Sequence, residues 1–109
     1  MSVTQIQPRE LREWLDDGSR RAPVLLDVRD PWEVEVCRIE GSLTIPMNNI
    51  ADQCSSLDPD DEFVLICHHG GRSMQVAIFL ERGGFTKLHN LAGGVDAWAR
   101  VIDPVMAVY

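Results

Sequence analysis

Cys67, Arg72 and the residues around them, Cys67-His68-His69-Gly70-Gly71-Arg72-Ser73, concentrate the reactive chemistry of this sequence. A thiol becomes a strong nucleophile once it is a thiolate, and that form is favoured where the local field is positive. Gly70 and Gly71 can take backbone angles that turn successive N–H groups inward, forming a concave nest for an anion. Arg72 adds a fixed charge and a planar fork suited to sulfur or phosphorus oxyanions. His68 and His69, with an ordinary imidazole pKa of about 6.5, are candidates for a proton source or a conditional cation.

These groups must be held by the elements on either side. Phe63-Val64-Leu65-Ile66 is a short apolar run with β-branched residues, which predicts a buried strand ending at Cys67. Met74 to Leu80 reads as a helix that is apolar nearly all round, with Val76, Ala77, Ile78, Phe79 and Leu80. Ser73 is placed to cap it. Cys67 is therefore expected in a strand-to-helix loop, beside the unpaired N–H groups and partial positive charge of a helix start. Pro23-Val24-Leu25-Leu26-Asp27-Val28-Arg29-Asp30 predicts a second buried strand, with Asp27 and Arg29 at its C-terminal end. In a parallel sheet those ends share one rim, where open α/β folds bind ligands. Asp27 or Arg29 is thus expected either to brace the active loop or to form a purely structural pair.

The remaining elements follow in order. Val3–Ile6 predicts a short strand, and Pro8 opens a helix with Leu11, Trp14 and Leu15 on one apolar face, stopped near Gly18. A short helix is expected over Trp32 to Cys37, a strand over Ser42 to Pro46, and a modest helix over Asn48 to Leu57. Lys87 to Leu91 predicts the last strand. Val95, Trp98, Ala99 and Ile102 then mark the inner face of a final helix. The segment from Asp103 onward carries no recognisable motif. Strands alternating with helices predict a small α/β domain with a mostly parallel sheet.

Composition narrows the functions. With 109 residues, the chain suits a single domain over residues 1–109. Ten Lys and Arg against 17 Asp and Glu give a net charge of −7, which argues against nucleic acid or an anionic membrane as a partner. Three cysteines (Cys37, Cys54, Cys67) have no paired spacing, so free thiols in a reducing cytoplasm are expected. The start of the chain lacks the basic and apolar regions of a secretion signal, and no stretch reaches membrane-spanning length.

Four blocks of this sequence resemble the rhodanese-like sulfurtransferase domains. They are Val24-Leu25-Leu26-Asp27-Val28-Arg29-Asp30-Pro31-Trp32-Glu33, Arg38 to Pro46, Cys67 to Ser73, and Leu91-Ala92-Gly93-Gly94-Val95-Asp96-Ala97-Trp98. They run in the family's order from Val24 to Trp98, and the resemblance extends over about residues 4 to 100. Arg38 and Glu40 stand where the family often has histidine and proline, and Cys37 replaces a common glycine, differences expected to touch only turn geometry or surface. The resemblance implies a three-layer fold, a five-stranded mostly parallel sheet flanked by helices, in which Cys67 carries a sulfane sulfur as a persulfide. The donor would be a small anion such as thiosulfate, and the acceptor a thiol, cyanide or a protein. The amides of His68, His69, Gly70, Gly71, Arg72 and Ser73 would hold the sulfur. His68 stands where many thiosulfate-using members carry a permanent cation, which argues against thiosulfate.

Other chemistries are weighed by spacing. Protein tyrosine phosphatases and the cell-cycle phosphatases of related fold space cysteine and arginine as C-x5-R, whereas Cys67 to Arg72 is C-x4-R. The shorter ring suits one sulfur atom and crowds a phosphate or arsenate, since catalysis tolerates little misplacement. A rhodanese-like binding module with little chemistry is the second alternative, although such modules often lack the cysteine. A metal site is a third reading. No metal or organic cofactor is expected, because there is no C-x-x-C and the adjacent His68 and His69 do not readily face one ion.

Overall fold

A computed structural model describes residues 3–109. The elements are β1 (Val3–Ile6), α1 (Pro8–Asp16), β2 (Val24–Asp27), α2 (Pro31–Val36), β3 (Leu43–Thr44), α3 (Ile50–Gln53), β4 (Phe63–Ile66), α4 (Gly71–Arg82), β5 (Leu88–Leu91) and α5 (Gly94–Val101). Single 3-10 turns, Met47–Asn49 and Cys54–Ser56, flank α3, so the helix expected over Asn48 to Leu57 is broken into three pieces. The five strands form one sheet in the order β1-β5-β4-β2-β3, and every pairing is parallel. The single-residue alternation of the strands divides the core into two layers. Phe63, Leu65 and Cys67 pack with Val76, Ala77, Leu80 and Ile50 on one face. Val64 and Ile66 pack with Leu11, Trp14, Val95 and Trp98 on the other.

Helix α4 is less enclosed than its composition predicts. Ser73, Val76, Ala77 and Leu80 are buried, but Phe79 is 47% exposed and Ile78 half-buried. The helix lies on one sheet face only, so its outer side has nothing to cover it. Ser73 is not a cap either. The helix begins at Gly71 with Gly70 as the residue before it, and Ser73 sits inside the first turn. Gly70 holds φ at +108°, a left-handed conformation that a side chain would strain.

Candidate active site

Two helix starts converge on the segment after β4. Val95 and Asp96, in the first turn of α5, donate their N–H groups to the carbonyls of Cys67 and His68 at 2.9 and 3.1 Å. This fixes both carbonyls away from the thiol. Gly94 allows the approach, because a Cβ there would collide with those same two carbonyls. On the other side, the Gly70 N–H reaches Cys67 Sγ at 3.0 Å. The first turn of α4 leaves further N–H groups without helical acceptors.

Buried beneath the thiol is a chain of polar side chains. Ser73 Oγ lies 3.2 Å from Cys67 Sγ and 2.5 Å from Asn90 Oδ1. Asn90 Nδ2 donates to the Gly70 carbonyl at 3.1 Å and to Gln5 Oε1 at 3.2 Å. A carbonyl can only accept, which fixes the Asn90 amide orientation and leaves Oδ1 as the acceptor facing Ser73. The Ser73 hydroxyl has one hydrogen, so it gives it to Asn90 while Cys67 is a thiol and accepts from the S–H. Donation to a Cys67 thiolate requires the hydroxyl to turn and release Asn90.

Arg72 does not stand free at the mouth. Its two terminal nitrogens hold both oxygens of Glu33, on α2, at 2.6 and 2.7 Å. This bidentate bond is the main reason the Glu33 carboxyl is lowered from 4.5 to about 2, with the Tyr109 hydroxyl assisting. Tyr109 donates to Glu33 at 2.7 Å, accepts from Arg29 at 3.0 Å, and stacks on His68 with ring centres 4.0 Å apart. Burial, with a smaller push from His69, holds the His68 pKa below its ordinary value. His68 is therefore a neutral ring at neutral pH rather than a cation.

The sequence model of the rhodanese-like domain family matches residues 7–101. The chain belongs to that family. It is 40% identical over 106 residues to the probable adenylyltransferase/sulfurtransferase MoeZ of Mycobacterium tuberculosis, covering 95% of this chain and 26% of the relative. It thus spans about a quarter of that protein's length. It is 31% identical to the thiosulfate sulfurtransferase GlpE of Pseudomonas aeruginosa, covering 89% of this chain and 84% of that one. SSP1007 of Staphylococcus saprophyticus, a solved structure, superposes with a TM-score of 0.80 at 35% identity, covering 87% and 92% of the two chains. The first two of these proteins are named as sulfurtransferases. Among the described residues no helix is long and apolar enough to cross a membrane.

Within this rhodanese-like fold, Gly70 and Ser73 of the loop meet Cys67 Sγ, Arg72 turns to Glu33 and His68 to Tyr109, and Asp27 and Arg29 lie outside the loop. Both are completely buried and bonded to each other at 2.6 Å. Arg29 spends its remaining donors on the Glu33 and Cys37 carbonyls and on Tyr109. The expected brace therefore reaches the loop only indirectly, through α2 and Tyr109. Cys37 is likewise more than surface, since it is half-buried and its carbonyl receives Arg29 at 2.7 Å. The expectation that the adjacent His68 and His69 do not readily face one ion meets a closer arrangement than the sequence suggests. Their ligand atoms and one of Asp96 lie within 4.8 Å of one another, although His69 is 68% exposed.

Glu33, Asn90 and Tyr109 have no assigned role in the sequence reading. Glu33 lies inside a block that resembles the family, and its signal is a carboxylate in the first turn after Asp30-Pro31. Asn90 is a polar residue on a buried strand, which asks for a partner. Nothing near Tyr109 in the sequence marks it.

Proposed function

We propose that the chain is a sulfurtransferase that carries one sulfane sulfur as a persulfide on Cys67. The observation that carries this reading is the Gly70 N–H on Cys67 Sγ at 3.0 Å, at the centre of a cradle closed after only four intervening residues. In the first displacement the Cys67 thiolate attacks the sulfane sulfur. The bond from that sulfur to the donor breaks, and the donor fragment leaves with the electron pair. The terminal sulfur then sits among backbone N–H groups, which stabilise its negative charge as an oxyanion hole would. In the second displacement an acceptor nucleophile, a thiol or cyanide, attacks that sulfur and the Cys67 thiolate returns. Ser73 steadies the thiolate by turning its hydroxyl from Asn90 toward Sγ. A covalent carrier of this kind gives ping-pong kinetics.

Intact-protein mass spectrometry tests the reading, with thiosulfate and then cysteine persulfide as donor. The expected result is a gain of one sulfur, removed by cyanide and absent in Cys67→Ser. No gain from either donor would leave the domain as a binding module with an idle thiol.

A further inference from the structure

Among the described residues, three arginines near the loop each already have a carboxylate. Arg72 is held by Glu33 at 2.6 Å, Arg29 by Asp27 at 2.6 Å, and Arg100 by Asp96 at 3.1 Å. The two rings there carry no charge at neutral pH. Burial keeps His68 below its ordinary value, and burial pushes Tyr109 up to about 12. The exposed His69 lies 3.9 Å from Asp96. Side-chain charge at the mouth therefore cancels in pairs, on a chain of net charge −7. Attraction for negative charge is left to the backbone N–H groups beside Cys67 Sγ, where that of Gly70 lies at 3.0 Å.

This arrangement discriminates between donors by charge. Thiosulfate, a dianion, meeting the Cys67 thiolate gathers three negative charges in the transition state, and the cation beside the loop, Arg72, is already offset by Glu33. A protonated organic persulfide, R–S–S–H, gathers only one. The thiolate attacks the outer sulfur, the S–S bond breaks, and the R–S fragment leaves as a thiolate with the electron pair. Cys67–S–S–H remains, and no oxidant or reductant is needed. We infer that Glu33, by holding Arg72, sets the donor class of this site to thiol-borne sulfane sulfur and disfavours oxyanion donors. The inference rests on the sulfur-transfer reading above and names its substrate class.

Single-turnover loading of Cys67 on the full chain, followed by intact mass, tests it with thiosulfate and cysteine persulfide. Glu33→Gln frees Arg72 and is expected to speed loading from thiosulfate about tenfold, the effect of one unit charge at a part-exposed site. Loading from cysteine persulfide is expected to stay within about twofold. Adding Arg72→Ala to Glu33→Gln should erase the thiosulfate gain, which a merely structural role for Glu33 would not produce. Asp96→Asn, on the exposed rim, is the second variant should Glu33→Gln fail to fold, and is expected to raise thiosulfate loading alone about threefold. A thiosulfate rate that stays flat or falls in the folded variants, or equal gains with both donors, would overturn the assignment of donor class and leave sulfur transfer standing. No loading from either donor in the unsubstituted chain would overturn both readings.

Discussion

Two arginine–carboxylate pairs flank the loop, and their surroundings give them different work. Asp27–Arg29 has both side chains at 0% exposure, and all five guanidinium N–H groups have acceptors. Glu33–Arg72 has its carboxylate 4% exposed but its guanidinium 32% exposed, with one acceptor residue. The first pair is locked by everything around it and cannot release either charge without leaving the other stranded in the core. The second touches water on one side, so its cation can be released at modest cost. A bonded arginine deep in the rim of a sheet is architecture, while a half-exposed one beside a nucleophile is an adjustable charge.

The largest separation between the pairs is expected in stability. Arg29→Ala strands a buried Asp27 and should cost about 3–5 kcal/mol, read as a lower midpoint in urea denaturation. Arg72→Ala removes the half-exposed member and leaves the buried Glu33 carboxylate to the Tyr109 hydroxyl and to water entering the vacated space; it should cost less, about 2–3 kcal/mol, while changing donor use. If the two losses are equal, burial is not what distinguishes the pairs.

Acid sharpens the comparison on the Glu33 side. The Glu33 carboxyl is lowered from 4.5 to about 2 in the folded chain, chiefly by the Arg72 hydrogen bonds. A depressed folded pKa contributes stability that is fully present above 4.5 and is lost as pH falls from 4.5 toward 2. The stability gap between the unsubstituted chain and Glu33→Gln should therefore be constant above about pH 5 and close on further acidification. A gap unchanged down to pH 3 would break the link between Glu33 ionisation and folding.

Much of this architecture is legible in the sequence, for identifiable reasons. Strands β2 and β4 are covered on both faces, so Val24-Leu25-Leu26 and Phe63-Val64-Leu65-Ile66 read as continuous apolar runs. Both helix starts at the site are announced by glycine pairs, Gly70-Gly71 and Gly93-Gly94, where the backbone must turn sharply or approach closely. What escapes is the set of long-range polar partners. Nothing local says that Arg72 will meet Glu33, which is 39 residues away, or that Ser73 will serve Cys67 and Asn90 instead of capping its helix. Tyr109 is further still from its partners in sequence, and its placement depends on the fold being complete. The outer face of α4 misleads in the opposite direction, because Phe79 looks like core and is exposed.

The smallest expected effect falls on the hydroxyl that joins the two pairs. Tyr109 accepts from Arg29 and donates to Glu33, yet neither partner depends on it, since Arg29 keeps four other donors in use and Glu33 keeps both bonds from Arg72. Tyr109→Phe should therefore cost only about 1 kcal/mol, the net worth of a lost hydrogen bond. The ring is retained, so the stack on His68 and the edge contact with Trp32, at 4.0 and 5.5 Å between centres, survive. Tyr109→Ala removes the ring as well and should cost about 1–2 kcal/mol more from lost aromatic packing. The two variants then part company at His68. Burial is the first cause of its lowered pKa, so uncovering the ring in Tyr109→Ala should raise the value toward the ordinary 6.5, whereas Tyr109→Phe leaves it low. NMR titration of His68 reads this directly. A rise in both variants would mean that the hydroxyl network, and not ring coverage, keeps His68 neutral, and would tie the mouth of the site to the buried pair more tightly than its geometry implies.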